Sequence, residues 1–404
     1  MPPQRLLTTA FALCFVGNFL QALCFNLFLH LPGFLRDLGA GEVEIGLLAG
    51  LTSFAAIVVR PPVGRVMDGT GRRRVILVGG ALNVAVCALY QSVHGLGLWL
   101  AAVRILHGLA EAMLFSAFFT VAADLVPAAR RTEGLALFGV SGILPISLGG
   151  LLGDAILARA GYPTLFGVAA ALATLSFAVS LPLRDSRPET PHAEPSRGFR
   201  GAALQRDLVP LWFIGTVFAT ALAAVFTFVK TFVLDTGVGS MGLFFTFYSA
   251  AAVVLRLFLG WLPERIGPKR ALWPALGCLA AGLLGLATAR SATPVALAGL
   301  SCGFGHGFTF PILSGMVVHR AREAERGVAL SLFTSLFDAG MLIGGPAFGF
   351  LLERSGYAAM YGAAAAVVVV GALAFALWDA RVARRAAAAE AGRAGIGHVE
   401  SAPR

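Results

Sequence analysis

The sequence predicts an all-α membrane protein in which twelve transmembrane helices form two pseudo-symmetric six-helix bundles. Three observations support this prediction. The chain is 57% hydrophobic and 13% charged, about half the charged fraction of a soluble globular domain. Apolar stretches of membrane-spanning length recur along it, and its two halves repeat one another. The composition excludes an ordinary cytosolic enzyme, a disordered chain and a disulfide-stapled secreted domain.

Twelve apolar stretches have the length that a bilayer requires. A helix needs about 20 apolar residues to cross the hydrocarbon core, where lipid offers its backbone polar groups no partner. Stretches of this kind lie at 8–31, 43–66, 75–95, 97–121, 133–157, 162–183, 208–232, 241–262, 271–289, 293–318, 327–352 and 357–378. The first is too long for a signal-peptide core and no small-residue cleavage pattern follows it, so we expect it to be retained.

The basic residues predict the orientation. Most of the 31 Lys and Arg residues lie in the termini and the even-numbered loops, including the run Arg72 to Arg74. Because cytoplasmic loops are enriched in Lys and Arg, we expect an integral protein of the cell's inner membrane with both termini in the cytoplasm. The net charge of +10 then serves insertion and contact with anionic lipid, and no nucleic-acid partner is expected, since no aromatic residues interleave with a basic groove.

A polar segment divides the chain. Residues 184–207 contain three prolines and many ionisable residues, a composition that cannot bury a core and is typical of a linker. We therefore predict an N-terminal six-helix bundle at 1–183, a cytoplasmic linker at 184–207, a C-terminal six-helix bundle at 208–380 and a basic cytoplasmic tail at 381–404.

The two predicted bundles share a parallel repeat. A shift of 196 residues places Arg60 on Arg256, Gly64 on Gly260, Asp68 on Glu264 and Gly71 on Gly267. A second match between the halves relates Gly161-Tyr162 to Gly356-Tyr357. Six spans followed by six equivalent spans is the layout of a secondary transporter, in which two bundles rock around a site near the bilayer midplane.

The segment from Gly64 to Arg74 resembles the signature loop of the major facilitator superfamily, and the resemblance extends over essentially the whole chain. We expect a gate in which Gly64 and Gly71 permit a tight turn and close helix approach, while Asp68 contacts Arg72 and Arg73. Glu264 belongs to the second copy. The alternative is that the basic residues are simply positive-inside anchors. The resemblance also implies a monomeric carrier, and it associates the glycine-proline pattern around Pro145 and Pro346 with exporters.

The strongest functional signal is a set of ionisable residues inside the fourth stretch. Arg104, His107 and Glu111 fall on one helical stripe at spacings of three and four residues, and charges inside a membrane are costly enough to suggest function. Arg104 and Gly108 resemble the family's span-4 motif, whose arginine is implicated in proton coupling. We predict that Glu111 exchanges protons beside Arg104 and His107. We also expect Arg104 to bind a substrate carboxylate, or Glu111 and Asp338 to bind a cationic substrate. The alternative is a static Arg104–Glu111 ion pair that only joins helices.

Other polar residues in the spans supply weaker candidates. Asp338 is a candidate second proton site, and His306 a candidate proton shuttle or substrate contact. Asn18 and Gln21 share a stripe that could line a cavity or join helices. We place Arg60 and Arg256 at helix ends without a special role, and we expect Lys230 to snorkel to the membrane surface.

These observations favour a proton-coupled exporter of a small organic or amphiphilic compound that works by alternating access. Proton-coupled uptake of a sugar or organic acid is the alternative, and flipping of a lipid-like substrate is a third possibility. A non-transporting sensor or a membrane enzyme would be a different class. No phosphate loop, zinc spacing or nucleophile-base pattern stands in a credible context, and the five cysteines lie inside spans, so we expect no cofactor, no metal and no enzymatic activity.

Overall fold

A computed structural model describes residues 7–127, 130–185, 198–322 and 325–399, apart from the side chains of 68, 131–133, 136, 198–199 and 383–399. The described elements are helices. They are α1 Thr9–Leu27, α2 Leu31–Asp37, α3 Glu42–Thr70, α4 Arg72–Leu89, α5 Leu98–Leu125, α6 Arg131–Leu157, α7 Tyr162–Ser180, α8 Gly198–Ala203, α9 Val209–Thr236, α10 Met241–Phe258, α11 Leu262–Ile266, α12 Pro268–Thr288, α13 Ala292–Arg320 and α14 Arg326–Val399.

The helices match the stretches that the sequence predicts. Within the described residues, eleven helical segments are long and apolar enough to cross a membrane. The last of them, α14, is interrupted by Gly356, whose φ of 77° and ψ of 175° are not helical. When the arms of α14 before and after Gly356 are counted separately, the segments correspond to the twelve predicted spans. The first span is longer than expected, because α2 continues α1 after a single 3₁₀ turn and ends at Asp37.

The internal repeat is visible in the backbone. Gly71, before α4, has a φ of 97°, and Gly267, before α12, has a φ of 98°. Gly161 and Gly356 open the last span of each half with φ values of 79° and 77°. L-residues with a side chain rarely adopt this left-handed region, which explains why glycine stands at both copies of each turn.

Two seams join the halves. In one seam α3 packs against the first arm of α14, and in the other α6 packs against α10. Both seams depend on glycine. A Cβ on Gly345 would lie 2.7 Å from the carbonyl oxygen of Gly46, and one on Gly150 would lie 3.1 Å from that of Met241. Small residues allow helix backbones to approach closely where lipid provides little driving force for association.

The two seams are tightest at one end of the molecule, which we call the closed end; it contains the chain segments 37–42, 157–162, 236–241 and 353–357. Here Arg36 contacts both Asp235 and Glu42. Asp154 accepts a hydrogen bond of 2.7 Å from the backbone N–H of Gly242. The backbone N–H of Val43 donates to Glu353 at 2.9 Å, which also joins the halves.

The opposite end, which we call the terminal end, contains the start of α1 and the turns at Gly71 and Gly267. There Arg73 donates to the carbonyl oxygens of Leu183 and Leu181. Arg320 binds Asp379 at 2.7 Å. These contacts join elements of the same half, so they differ in kind from the contacts at the closed end.

The predicted boundaries of the two bundles, the linker and the tail stay predictions, and 186–197 and 400–404 lie outside the described residues.

Candidate functional site

A cluster of charged side chains lies in the α3–α14 seam. Arg60 Nε donates to Asp338 Oδ2 at 2.7 Å, and its Nη1 donates to Ser116 Oγ at 3.2 Å. The two charged side chains are only 11% and 15% exposed. Arg60 reaches this depth because side chains on a helix point back toward its N-terminus, here toward the closed end. Arg60 was expected at a helix end; instead its charge lies deep in the seam and is paired with Asp338.

Glu111 extends this cluster into the N-terminal half. Its Oε2 accepts a hydrogen bond of 2.6 Å from Gln21 Nε2, and Gln21 Oε1 accepts one of 2.9 Å from Asn83. Gln21 and Asn83 are buried, whereas Glu111 is partly exposed. Glu111 is close enough to Arg60 and Asp338 for electrostatic interaction with both. We call Arg60, Glu111 and Asp338 the seam cluster.

Arg104 and His107 belong to a different environment. Arg104 donates to the Leu48 carbonyl at 2.9 Å and to the hydroxyls of Thr52 and Tyr90 at 3.3 Å. The Tyr90 hydroxyl is also 3.1 Å from His107 Nδ1, and both Arg104 and His107 are buried.

The proposed ion pair between Arg104 and Glu111 does not form. The Arg104 side chain points toward the N-terminus of α5, away from Glu111, which lies seven residues further on. The predicted stripe is thus divided, with Glu111 at the seam and the other two residues inside one half.

The remaining substrate candidates lie in both halves. His306 Nδ1 contacts the Tyr248 hydroxyl, and the imidazole ring is edge-on to Phe218, Phe226 and Phe310. This aromatic group surrounds a partly exposed His306. Asn18 donates to Ser141 Oγ at 2.8 Å and so connects α1 to α6. Gln21 is also a helix-joining residue, because its amide bridges two polar side chains.

The predicted gate residues lie at several places. Gly71 forms the expected turn, but a Cβ on Gly64 would meet no atom within 4 Å, so Gly64 is not a point of close approach. The Arg72 backbone N–H donates to Asp185 at 2.9 Å, and its side chain pairs with Asp124 at 3.1 Å.

The remaining predicted gate residues lie apart from one another. Glu264 is exposed on α11, and Pro145 and Pro346 lie inside α6 and α14. The side chain of Asp68 lies outside the described residues, so its predicted contact with Arg72 and Arg73 stays a prediction.

Two further cations do not occupy their predicted environments. Lys230 is buried rather than snorkelling, with its side chain packed near Gly33 of α2. The Nε atom of Arg256 is also buried, and its guanidinium has no hydrogen-bond partner among the described residues. Both were placed at helix ends because sequence position gives the depth of the Cα atom, while a long side chain places its charge elsewhere.

Comparison with known proteins agrees with this architecture. The family model of the Major Facilitator Superfamily matches residues 11–341 and 211–402. A staphylopine export protein of Staphylococcus aureus is 23% identical over 362 residues, which cover 85% of this chain and 89% of that protein. An uncharacterized MFS-type transporter of Pseudomonas aeruginosa is 28% identical over 341 residues, with 82% and 83% covered.

A solved structure gives the same result at the level of the fold. The human organic anion transporter MFSD10 (TETRAN) superposes with a TM-score of 0.72 at 18% identity, covering 93% of this chain and all of that chain. The family match extends over nearly the entire sequence, and the structural likeness covers both halves. The chain therefore belongs to the Major Facilitator Superfamily and is an integral membrane transporter.

Proposed function

We propose that this transporter is a proton-coupled exporter of a small organic or amphiphilic compound that works by alternating access. The observation that carries the proposal is the seam cluster, in which Asp338 binds the guanidinium of Arg60 and the carboxyl group of Glu111 lies within electrostatic range of both. One cation near two carboxyls is suited to proton exchange, because the cluster is electrically balanced with one carboxyl ionised and the other protonated.

Proton binding in this cluster acts on the contact between the halves. Asp338 is on α14 and Arg60 is on α3, so their ion pair crosses the seam. Protonation of Asp338 removes the negative charge that Arg60 faces, which weakens this link. Glu111 stands beside the pair and can receive or supply the proton. Coupling then requires only that proton and substrate have different affinities for the two arrangements of the halves.

The direction of transport is supported by two observations. The named relative from Staphylococcus aureus is an export protein, and the predicted topology places the closed end outside the cell. The described contacts then keep the external side shut while the terminal end faces the cytoplasm, from which an exporter loads. Proton-coupled uptake of a sugar or organic acid is the second candidate, since the same seam cluster would serve a symporter.

The test is transport in everted inner-membrane vesicles that carry a pH-sensitive fluorescent dye. Respiration acidifies the vesicle interior, and an exporter substrate that exchanges for protons should partly restore the dye signal. We expect Glu111→Gln to lower this response at least about tenfold, because the amide cannot exchange the proton. The matched control is Asp37→Asn, at an exposed carboxyl at the end of α2, which should behave like the wild type.

Two results would contradict the proposal. One is an unchanged response and an unchanged pH dependence in Glu111→Gln, which would remove Glu111 from proton coupling. The other is accumulation inside right-side-out vesicles under an inward proton gradient, which would favour uptake. Reporter fusions at both termini would test the predicted cytoplasmic location at the same time.

A further inference from the structure

Arg256 occupies the α6–α10 seam as Arg60 occupies the α3–α14 seam. Both arginines lie on the helix that their half contributes to the seam, and the sequence repeat superimposes them. A Cβ on Gly139 of α6 would lie 2.6 Å from Arg256 Nη1, so the guanidinium reaches across the seam to the other half. Its Nε is buried.

The two arginines differ in what they face. Asp338 lies seven residues before Gly345, the glycine that contacts Gly46 in its seam. Seven residues before the corresponding Gly150 of α6 stands Ile143. Between Glu133 and Asp154 the sequence of α6 has no acidic residue. The carboxylate that neutralises Arg60 therefore has no counterpart for Arg256 in α6, and no described residue accepts a hydrogen bond from its guanidinium.

The surroundings of Arg256 leave room for a ligand. One helical turn from Gly139, a Cβ on Gly142 would meet no atom within 4 Å. Arg256 is close enough to His306 and Tyr248 for electrostatic interaction with both. Beyond them lie the rings of Phe218, Phe226 and Phe310. A guanidinium beside open space and an aromatic wall is chemically matched to an organic anion with an apolar body.

The charges deep in the two seams also favour an anionic ligand at Arg256. The described seam residues include the cations Arg60 and Arg256 and the acid Asp338, with Glu111 next to it. The charge of Arg256 has no counterion among the described residues, and its Nε is buried although the side chain as a whole is partly exposed. Such a cation is stabilised when an anion approaches it.

We propose that Arg256 is the anion-binding group of the transport site, so that the substrate carries a carboxylate or another oxyanion on a partly apolar body. This inference rests on the proposed transport function and names the substrate class that the same site would take. The oxyanion would lie between the Arg256 guanidinium and the glycine face of α6, with its apolar part toward the aromatic group around His306.

Thermal stabilisation of the purified protein by three matched probes tests this proposal. Benzoate is the anionic probe, benzamide the neutral one and benzylammonium the cationic one. We expect benzoate alone to raise the thermal midpoint of the wild type. Arg256→Gln should weaken its apparent affinity on the order of tenfold to a hundredfold, as expected for loss of a charge-assisted contact. Arg256→Lys should retain part of the response.

Two more variants keep the test decisive if Arg256→Gln folds poorly. Gly142→Asp introduces a carboxylate one helical turn from Gly139, the residue that Arg256 Nη1 approaches. It should abolish benzoate stabilisation, whereas Gly142→Ser should not. Arg270→Gln changes an exposed arginine at the terminal end and should leave the benzoate response unchanged.

Each contrary result is informative. Equal benzoate affinity in Arg256→Gln and wild type, or equal stabilisation by benzamide, overturns the proposal. Stabilisation through Arg256 by phosphatidylglycerol nanodiscs, with no response to benzoate, would assign the site to a lipid headgroup and also overturn it. Proton exchange driven only by neutral or cationic compounds, and lost in Glu111→Gln, would remove the anion site but keep the proposed function. Benzoate binding without proton-coupled flux would keep the anion site but contradict the proposed function.

Discussion

The two seams between the halves have the same helix geometry but different chemistry. The α3–α14 seam contains a compensated ion pair, Arg60 and Asp338. The α6–α10 seam contains an unpaired arginine and neutral hydroxyl contacts, such as Ser249 to the Ile143 carbonyl at 3.1 Å. The repeat thus places an equivalent cation in each seam, and only Arg60 faces an acid among the described residues. We propose that one seam responds to protons and the other to an anionic solute.

The largest expected effect follows from making the first seam resemble the second. Asp338→Asn leaves Arg60 buried without its carboxylate, which costs about 3–5 kcal/mol in comparable buried pairs. We expect a clearly lower thermal midpoint and loss of proton-driven flux. The double variant Arg60→Gln with Asp338→Asn should recover part of the stability but none of the coupling. A single variant as stable as the wild type would show that the pair does not hold this seam.

A smaller effect is expected from the hydroxyl contacts of the second seam. Ser249→Ala removes one buried hydrogen bond between α10 and α6, worth about 1 kcal/mol. The thermal midpoint should fall slightly, while the pH dependence of flux should stay unchanged because no charge is lost. Ser314→Ala is the matched control, since the Ser314 hydroxyl is exposed and bonds within its own helix. A change in pH dependence for Ser249→Ala would contradict the division between the seams.

The smallest effect on stability is expected at the closed end. Asp235→Asn removes one of the two carboxylates that Arg36 contacts and replaces the charged acceptor of the Tyr357 hydroxyl with an amide. Such exposed pairs contribute about 0–1 kcal/mol. Small as it is, this change should favour opening of the closed end, measured as faster labelling of a cysteine introduced at Gly41. Unchanged labelling would mean that the glycine contacts, rather than the charges, keep this end shut.

The spans and the repeat could be predicted from sequence because both are patterns along the chain that do not depend on how the helices pack. Apolar length identifies a membrane helix without knowledge of its neighbours, and Gly161 and Gly356 mark the same turn in both halves. Glu111 and Asp338 stand out in the sequence because each is a carboxyl inside an apolar stretch, and their part in proton coupling stays a prediction. Arg60 was missed because its significance lies in a partner 278 residues away, and the number of residues into a helix does not give the position of a long side chain.

Arg104 and His107 show what a helical stripe does not predict. Their spacing on one stripe correctly placed them on the same face of α5, but that face meets different neighbours along its length. Near Arg104 it meets Leu48 and Tyr90 inside one half, and only near Glu111 does it reach the seam. Periodicity identifies a face of a helix, whereas the partners of that face depend on the packing of the whole bundle.

The Tyr90 hydroxyl lies between Arg104 and His107 and can donate to the imidazole. Arg104 donates to the Tyr90 oxygen, and a guanidinium has no acceptor, so the phenolic hydrogen is free to point at Nδ1 of His107. When it does so, the imidazole is the neutral Nε2–H tautomer and its basic nitrogen is occupied. We therefore expect His107 to accept a proton only after its hydrogen bond to Tyr90 breaks.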